Sequence, residues 1–113
     1  MLNPLLYVLI ELLRRKERNP SMEINYLSNK EGEIDFVISE GGSVAELIQV
    51  TYELDQKNIG RELQPLLSAM KALKPKRSVL VTFNAVDKVM AVEKGIDTLT
   101  FVQWALSARN GKS

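Results

Sequence analysis

The sequence contains neither cysteine nor histidine. That excludes disulfides, thiol nucleophiles, the common zinc centres and any Ser–His–Asp or Cys–His arrangement. An excess of one charge is also missing: 15 Lys and Arg stand against 14 Asp and Glu, a net charge of +1. A surface that neutralises phosphates along its length needs a basic excess, so a general nucleic-acid binder is disfavoured, although a local basic patch is not. Long apolar runs are absent as well. Leu5–Ile10, extended by Leu12 and Leu13, falls well short of the ~20 residues that span a bilayer. It also lacks the basic leader and cleavage site of a signal peptide, so no membrane association is expected. A cysteine-free chain fits a cytoplasmic location. Hydrolytic chemistry, if present, is left to carboxylates, amides, hydroxyls and lysines around an oxygen-liganded metal.

What is present is ordinary globular composition, 45% hydrophobic and 26% charged, in 113 residues. That length suits a single domain over residues 1–113 and is too short for two independent cores. Pro4 fits a first helical turn and Arg14, Arg15 and Lys16 fit a last one, which predicts a helix over residues 4–17. The six consecutive apolar residues from Leu5 to Ile10 go round its whole circumference. Such a helix should be covered on more than one side, by its own sheet and by something else: a second subunit or part of a longer chain.

After the Asn19-Pro20 break, alternation from Met22 to Leu27 predicts a strand, followed by a turn at Asn29–Gly32. Glu33–Ser39 and Ala45–Tyr52 read as two more strands joined by a Glu40-Gly41-Gly42-Ser43 hairpin, giving an antiparallel meander. Leu63, Leu66, Leu67, Met70 and Leu73 predict a helix over about 61–73, ended by Lys74-Pro75-Lys76. Ser78–Thr82 is nearly continuous in apolar residues, as in a strand covered on both faces. A short segment is expected at 86–92, a last strand at Thr98–Phe101, and a C-terminal helix through Val102, Trp104, Ala105 and Leu106. The order α-β-β-β-α-β-(β)-α is that of a three-layer α/β (α+β) core of the restriction-endonuclease-like type, a fold-level analogy that does not by itself give function.

Glu33-Ile34-Asp35-Phe36-Val37-Ile38 followed by Leu47-Ile48-Gln49-Val50-Thr51-Tyr52 resembles the paired strands of the PD-(D/E)XK nuclease superfamily. In that superfamily an Asp and a Glu-x-Lys, sometimes Gln-x-Lys, converge on magnesium. The resemblance implies that Asp35 holds the Asp position, Gln49 the Glu position and Thr51 the Lys position. Glu11-Leu12-Leu13-Arg14-Arg15, Arg61-Glu62-Leu63 and Gly95-Ile96…Phe101-Val102-Gln103-Trp104-Ala105-Leu106 complete a wider pattern. In this order they resemble the uncharacterised C-terminal domain that follows the P-loop ATPase module in many bacterial and archaeal AAA-type proteins. The likeness runs from about residue 3 to 106 and implies a nuclease-like domain working with an ATPase. No Gly-x4-Gly-Lys-Ser/Thr motif occurs here, so the chain is expected to be a fragment or truncated relative of a larger ATPase.

The departures from the pattern bear on chemistry. Gln49 offers a neutral carbonyl oxygen in place of a carboxylate, and Thr51 offers neither charge nor amine. The Glu that the superfamily often adds from its first helix aligns with Leu5, leaving Glu11 as the acid of that helix's apolar part. No cofactor is therefore expected, and the reading is a degenerate, non-catalytic domain that associates with an ATPase module, with DNA, or with itself through helix 4–17. The alternative is a divergent magnesium-dependent DNA nuclease, with Asp35 and Gln49 as metal ligands and Lys30 or Lys57 in place of the missing lysine; a metal held by Asp35 and the Val50 carbonyl would favour it. Plainer readings stand beside both: Asp35 facing solvent with Glu33, Gln49 and Thr51 on an open sheet face, and Glu11 paired i,i+4 with Arg15. Likewise Arg61-Glu62 would face water or a partner, Trp104 would be packing, and Arg14–Arg18 and Lys71–Arg77 would be solvated helix ends, with nucleic-acid contact left open.

Overall fold

The computed structural model describes residues 3–85 and 95–109. The chain runs α1 (Pro4–Arg18), β1 (Glu23–Asn29), β2 (Gly32–Glu40), β3 (Ser43–Leu54), α2 (Ile59–Leu73), β4 (Arg77–Ala85), β5 (Asp97–Thr100) and α3 (Phe101–Arg109). This is the expected order; the segment expected at 86–92 lies outside the described residues. The five strands form one sheet in the order β1-β2-β3-β4-β5. β1, β2 and β3 are antiparallel, whereas β3, β4 and β5 are parallel. The change of sense follows from the connections: tight turns join the first three, and α2 carries the chain back across the sheet before β4.

Two cores lie on opposite faces. Under α2, Leu63, Leu66 and Ala69 pack on Ile34, Val37, Leu47, Leu54 and Leu80. Under α1 and α3, Val8, Leu12 and Trp104 pack on Ile38, Ile48, Val79 and Val81. Val79, Leu80 and Val81 are all fully buried, as a strand covered on both faces requires. Gly32 helps seat α2: a Cβ there would lie 2.6 Å from Pro65 Cγ, and its φ of +131° is unfavourable for other residues.

Local chemistry sets the element ends. The Asn3 side chain accepts the Leu5 N–H at 2.9 Å and caps α1, with Pro4 in the first turn. Phe101 begins α3 and does not continue β5. The reason is a reciprocal cap, in which Gln103 N–H donates to Thr100 Oγ1 at 3.2 Å and Thr100 N–H donates to Gln103 Oε1 at 2.9 Å.

The basic clusters are not simply solvated ends. Arg15 donates to the Trp104 carbonyl at 2.9 Å, and its guanidinium carbon lies 4.1 Å from the Trp104 ring centroid. It also sits 3.3 Å from Glu11 and 3.8 Å from Glu46. Arg77 reaches Glu46 at 4.0 Å and Asp97 at 3.1 Å, while the Trp104 indole N–H donates to Glu46 at 3.2 Å. This network joins α1, β3, β4, β5 and α3. Burial is the main influence on the Glu46 carboxyl and raises its pKa, against the Trp104 hydrogen bond and the two arginines.

Candidate functional site

The positions singled out by the motif lie where β2 separates from β3. Their backbone pairing runs from the hairpin to Phe36↔Ile48, one residue short of Asp35 and Gln49. On its other side, β2 advances three residues, Val37 to Ile34, while β1 advances two, Asn25 to Leu27. The extra residue is a bulge, which bends the strand and re-aims the side chains around Asp35. β3 meanwhile remains paired with β4 through Leu54↔Ala85.

Two polar side chains bridge the opened seam. Asp35 N–H donates to Gln49 Oε1 at 3.0 Å, and Gln49 Nε2 donates to the Glu33 carbonyl at 2.9 Å. The Val50 N–H donates to Asp35 Oδ2 at 2.8 Å. The Gln49 amide thus presents one acceptor and one donor toward β2, as a peptide group of a paired strand would. Gln49 is only 5% exposed. It lies on the α2 side with Leu47, so the open sheet face expected for it is in fact covered.

The remaining predicted residues are dispersed. The Thr51 hydroxyl donates to the Glu53 carbonyl at 3.1 Å. Lys30, in the β1–β2 turn, and Lys57, before α2, are both exposed. Glu11 is 3% exposed and pairs with Arg15 in the network under α1 and α3, on the other face of the sheet from α2.

Sequence reasoning missed Glu62. Instead of facing water, it is half-buried on the shoulder of α2 that faces β2. Burial raises its pKa most, and the charge of Asp35 raises it further against the opposing pull of Arg61. Its spacing carried the signal: Ile59, Glu62, Leu63 and Leu66 recur at helical intervals on the buried side. The Asp35 carboxyl is also raised, chiefly by burial and then by Glu33, against the Val50 hydrogen bond.

These shifts fix the direction of a pH dependence. A carboxyl whose folded pKa lies above its ordinary value holds its proton more tightly when folded. Its contribution to stability is complete below 3.8 for Asp35 or 4.5 for Glu62 and is lost as the pH rises through the raised value. Asp35→Asn keeps an acceptor for Val50 while removing a charge. It is expected to bring Glu62 back toward 4.5 and flatten the loss of stability on raising the pH. Denaturant midpoints between about pH 4 and 8, with carboxyl titration by NMR, check this; an unchanged slope and an unmoved Glu62 would contradict it.

Two of the oxygens that the motif would offer to a magnesium ion are engaged with backbone groups. Asp35 Oδ2 accepts from Val50, Gln49 Oε1 accepts from Asp35, and Gln49 brings no charge. Among the described residues, no group of three or more His, Cys, Asp or Glu side chains is placed to hold a metal. On the α1 side, the two basic clusters of the sequence converge. Arg15, Arg18, Lys76 and Arg77 line a cleft of about 420 Å³ above Leu12 and Ile38. Arg15 and Arg77 are held by acids, while Arg18 and Lys76 are exposed.

Layering, strand order and helix placement define a restriction-endonuclease-like α+β domain. Among solved structures, the chain is similar to that of the EndoMS–dsDNA2 complex, with a TM-score of 0.53 and 12% identity over 81% of this chain and 43% of that one. At that identity the likeness concerns the fold. By sequence the chain is similar to the uncharacterized protein MJ1544 of Methanocaldococcus jannaschii, 34% identical over 101 residues. The match takes in 84% of this chain and spans only 22% of that relative's length. No family profile matches the chain.

Proposed function

We propose that this is a degenerate nuclease-fold domain that acts by association, with an ATPase module and with DNA, and not by hydrolysis. The observation that carries the reading is the use of Asp35 and Gln49 to satisfy backbone groups across the β2–β3 seam. Oxygen atoms engaged in this way, beside a threonine where a lysine would assist, are poorly suited to activating water. A DNA partner is supported by the fold shared with a protein solved in a complex with dsDNA. The exposed Arg18 and Lys76, beside an α1 cleft that Glu40 and Glu46 also line, offer two cationic groups for phosphate contact despite the near-neutral whole. An ATPase partner is supported by the family pattern in the sequence; the match to 22% of a much longer relative supports only that such a domain occurs within a larger chain.

The other reading, a divergent magnesium-dependent nuclease, draws on the proximity in charge of Asp35 and Glu62, two carboxyls whose pKa values are both raised. Incubating the chain with supercoiled plasmid and Mg²⁺ or Mn²⁺ separates the two. No nicking is expected with either metal. Metal-dependent cleavage that disappears in Asp35→Ala would overturn the association reading in favour of the nuclease.

A further inference from the structure

We propose that the outward face of α1 pairs two copies of this chain through antiparallel α1 helices. The inference goes beyond the reading above and does not depend on whether the domain touches DNA. Val8 and Leu12 direct one side of α1 into the sheet. On the opposite side Leu6, Ile10 and Leu13 are 40, 45 and 50% exposed. These residues and Glu17 recur at intervals of four, three and four, the spacing of a seam between two helices. α3 lies on the same sheet face beside α1, since Tyr7 meets Phe101 with ring centroids 5.9 Å apart. On α3, Val102 and Leu106 are likewise outward, 61 and 46% exposed.

Three features favour a second copy as the occupant. The five exposed side chains present on the order of 400 Å² of apolar area, within the range of the largest patches on monomers. That is about half of the ~800 Å² per partner in a standard interface, so it serves as the centre of an interface with a polar rim. The seam is also self-complementary. When one α1 is laid antiparallel on another, Ile10 of each copy faces Leu13 of the other, and Leu6 faces Glu17. Finally, the charges agree. The first turn of α1 carries no acidic residue to offset the positive end of its dipole. Glu17 is exposed and makes no ion pair among the described residues. Antiparallel pairing places the Glu17 of each copy at the N-terminal end of the other's α1.

Sedimentation velocity on the whole chain tests this. At about 100 µM the species is expected at twice the 12.7 kDa chain mass. Ile10→Lys and Leu13→Lys are each expected to give monomers with unchanged circular dichroism, because both positions face away from the core. Glu17→Lys is expected to weaken the dimer at least five-fold, and Leu5→Lys, off the seam, to weaken it less. A wild-type chain that stays monomeric at this concentration would overturn the proposal and leave the stripe to a different chain. So would a dimer that survives both Ile10→Lys and Leu13→Lys.

Discussion

Trp104→Ala is expected to cost about 3–5 kcal/mol of folding stability, the range for removing a fully buried large aromatic. Trp104 is 0% exposed and packs under α3 with Val8, Leu12, Ile48, Val79 and Val81. Packing is only part of the loss. The indole N–H donates to Glu46, and the ring supports the Arg15 guanidinium. Without the indole, the Glu46 carboxyl loses the largest influence opposing its desolvation. Trp104→Phe, which keeps a ring but loses the donor and part of the ring volume, is expected to cost less, about 2–3 kcal/mol. Urea unfolding followed by far-ultraviolet circular dichroism measures both, since Trp104 is the chain's single tryptophan and its fluorescence is lost with it. Equal costs for the two variants would mean that the Glu46 bond, and not the packing, supplies the effect.

The second large effect is expected at Gln49. Gln49→Ala leaves the Asp35 N–H and the Glu33 carbonyl without their partner at the bulged seam. A fully buried backbone group stranded in this way costs about 1–3 kcal/mol; with both groups only part-buried, a net loss of about 1–3 kcal/mol is expected after partial rehydration. A loss below about 1 kcal/mol would show that the bridge is not structural. Gln49→Glu is the sharper test, because it introduces the carboxylate that the nuclease pattern prefers. An ionised carboxylate can accept from Asp35 N–H, but it cannot donate to the Glu33 carbonyl, and it adds a negative charge close to Asp35. The variant should be destabilised at neutral pH. It should recover as the pH falls and the new carboxyl binds a proton that restores a donor. Denaturation midpoints at acid and neutral pH give the comparison.

The fold was largely legible because its signals are periodic. The Leu63, Leu66 and Met70 spacing, the alternation in the meander and the continuous apolar run of β4 each report burial directly. The boundary at Phe101 was misread because a short apolar stretch suits either a strand or a helix. The Thr100–Gln103 cap that decides it depends on two side chains three positions apart. The site was legible only as a set of positions. Asp35 and Gln49 were identified as companions and do meet, but a motif does not reveal a bulge. The bulge turns two prospective ligands into backbone partners. Glu62 reads as facing water or a partner from its place at a helix start, although its helical phase points inward. Arg15 and Arg77 look like solvated ends in one dimension, and only the meeting of α1, β3 and α3 makes them a network.

The two faces of the sheet differ in where along the chain their parts come from, and this has a consequence for the order of assembly. The α2 side draws mainly on residues between Ile34 and Leu80, so most of its contacts can form within one central stretch. The other side brings Val8 and Leu12, from near the start, together with Trp104, and Arg15 reaches the Trp104 carbonyl across 89 positions. Closing so wide a loop carries the larger entropic cost and comes late. On a ribosome, the inner face of α1 would therefore wait for β3 and β4, and that side of the sheet would be completed only when α3 has emerged. Throughout, the outward face of the helix, with Leu6, Ile10 and Leu13, stays open to chaperones and to other nascent copies.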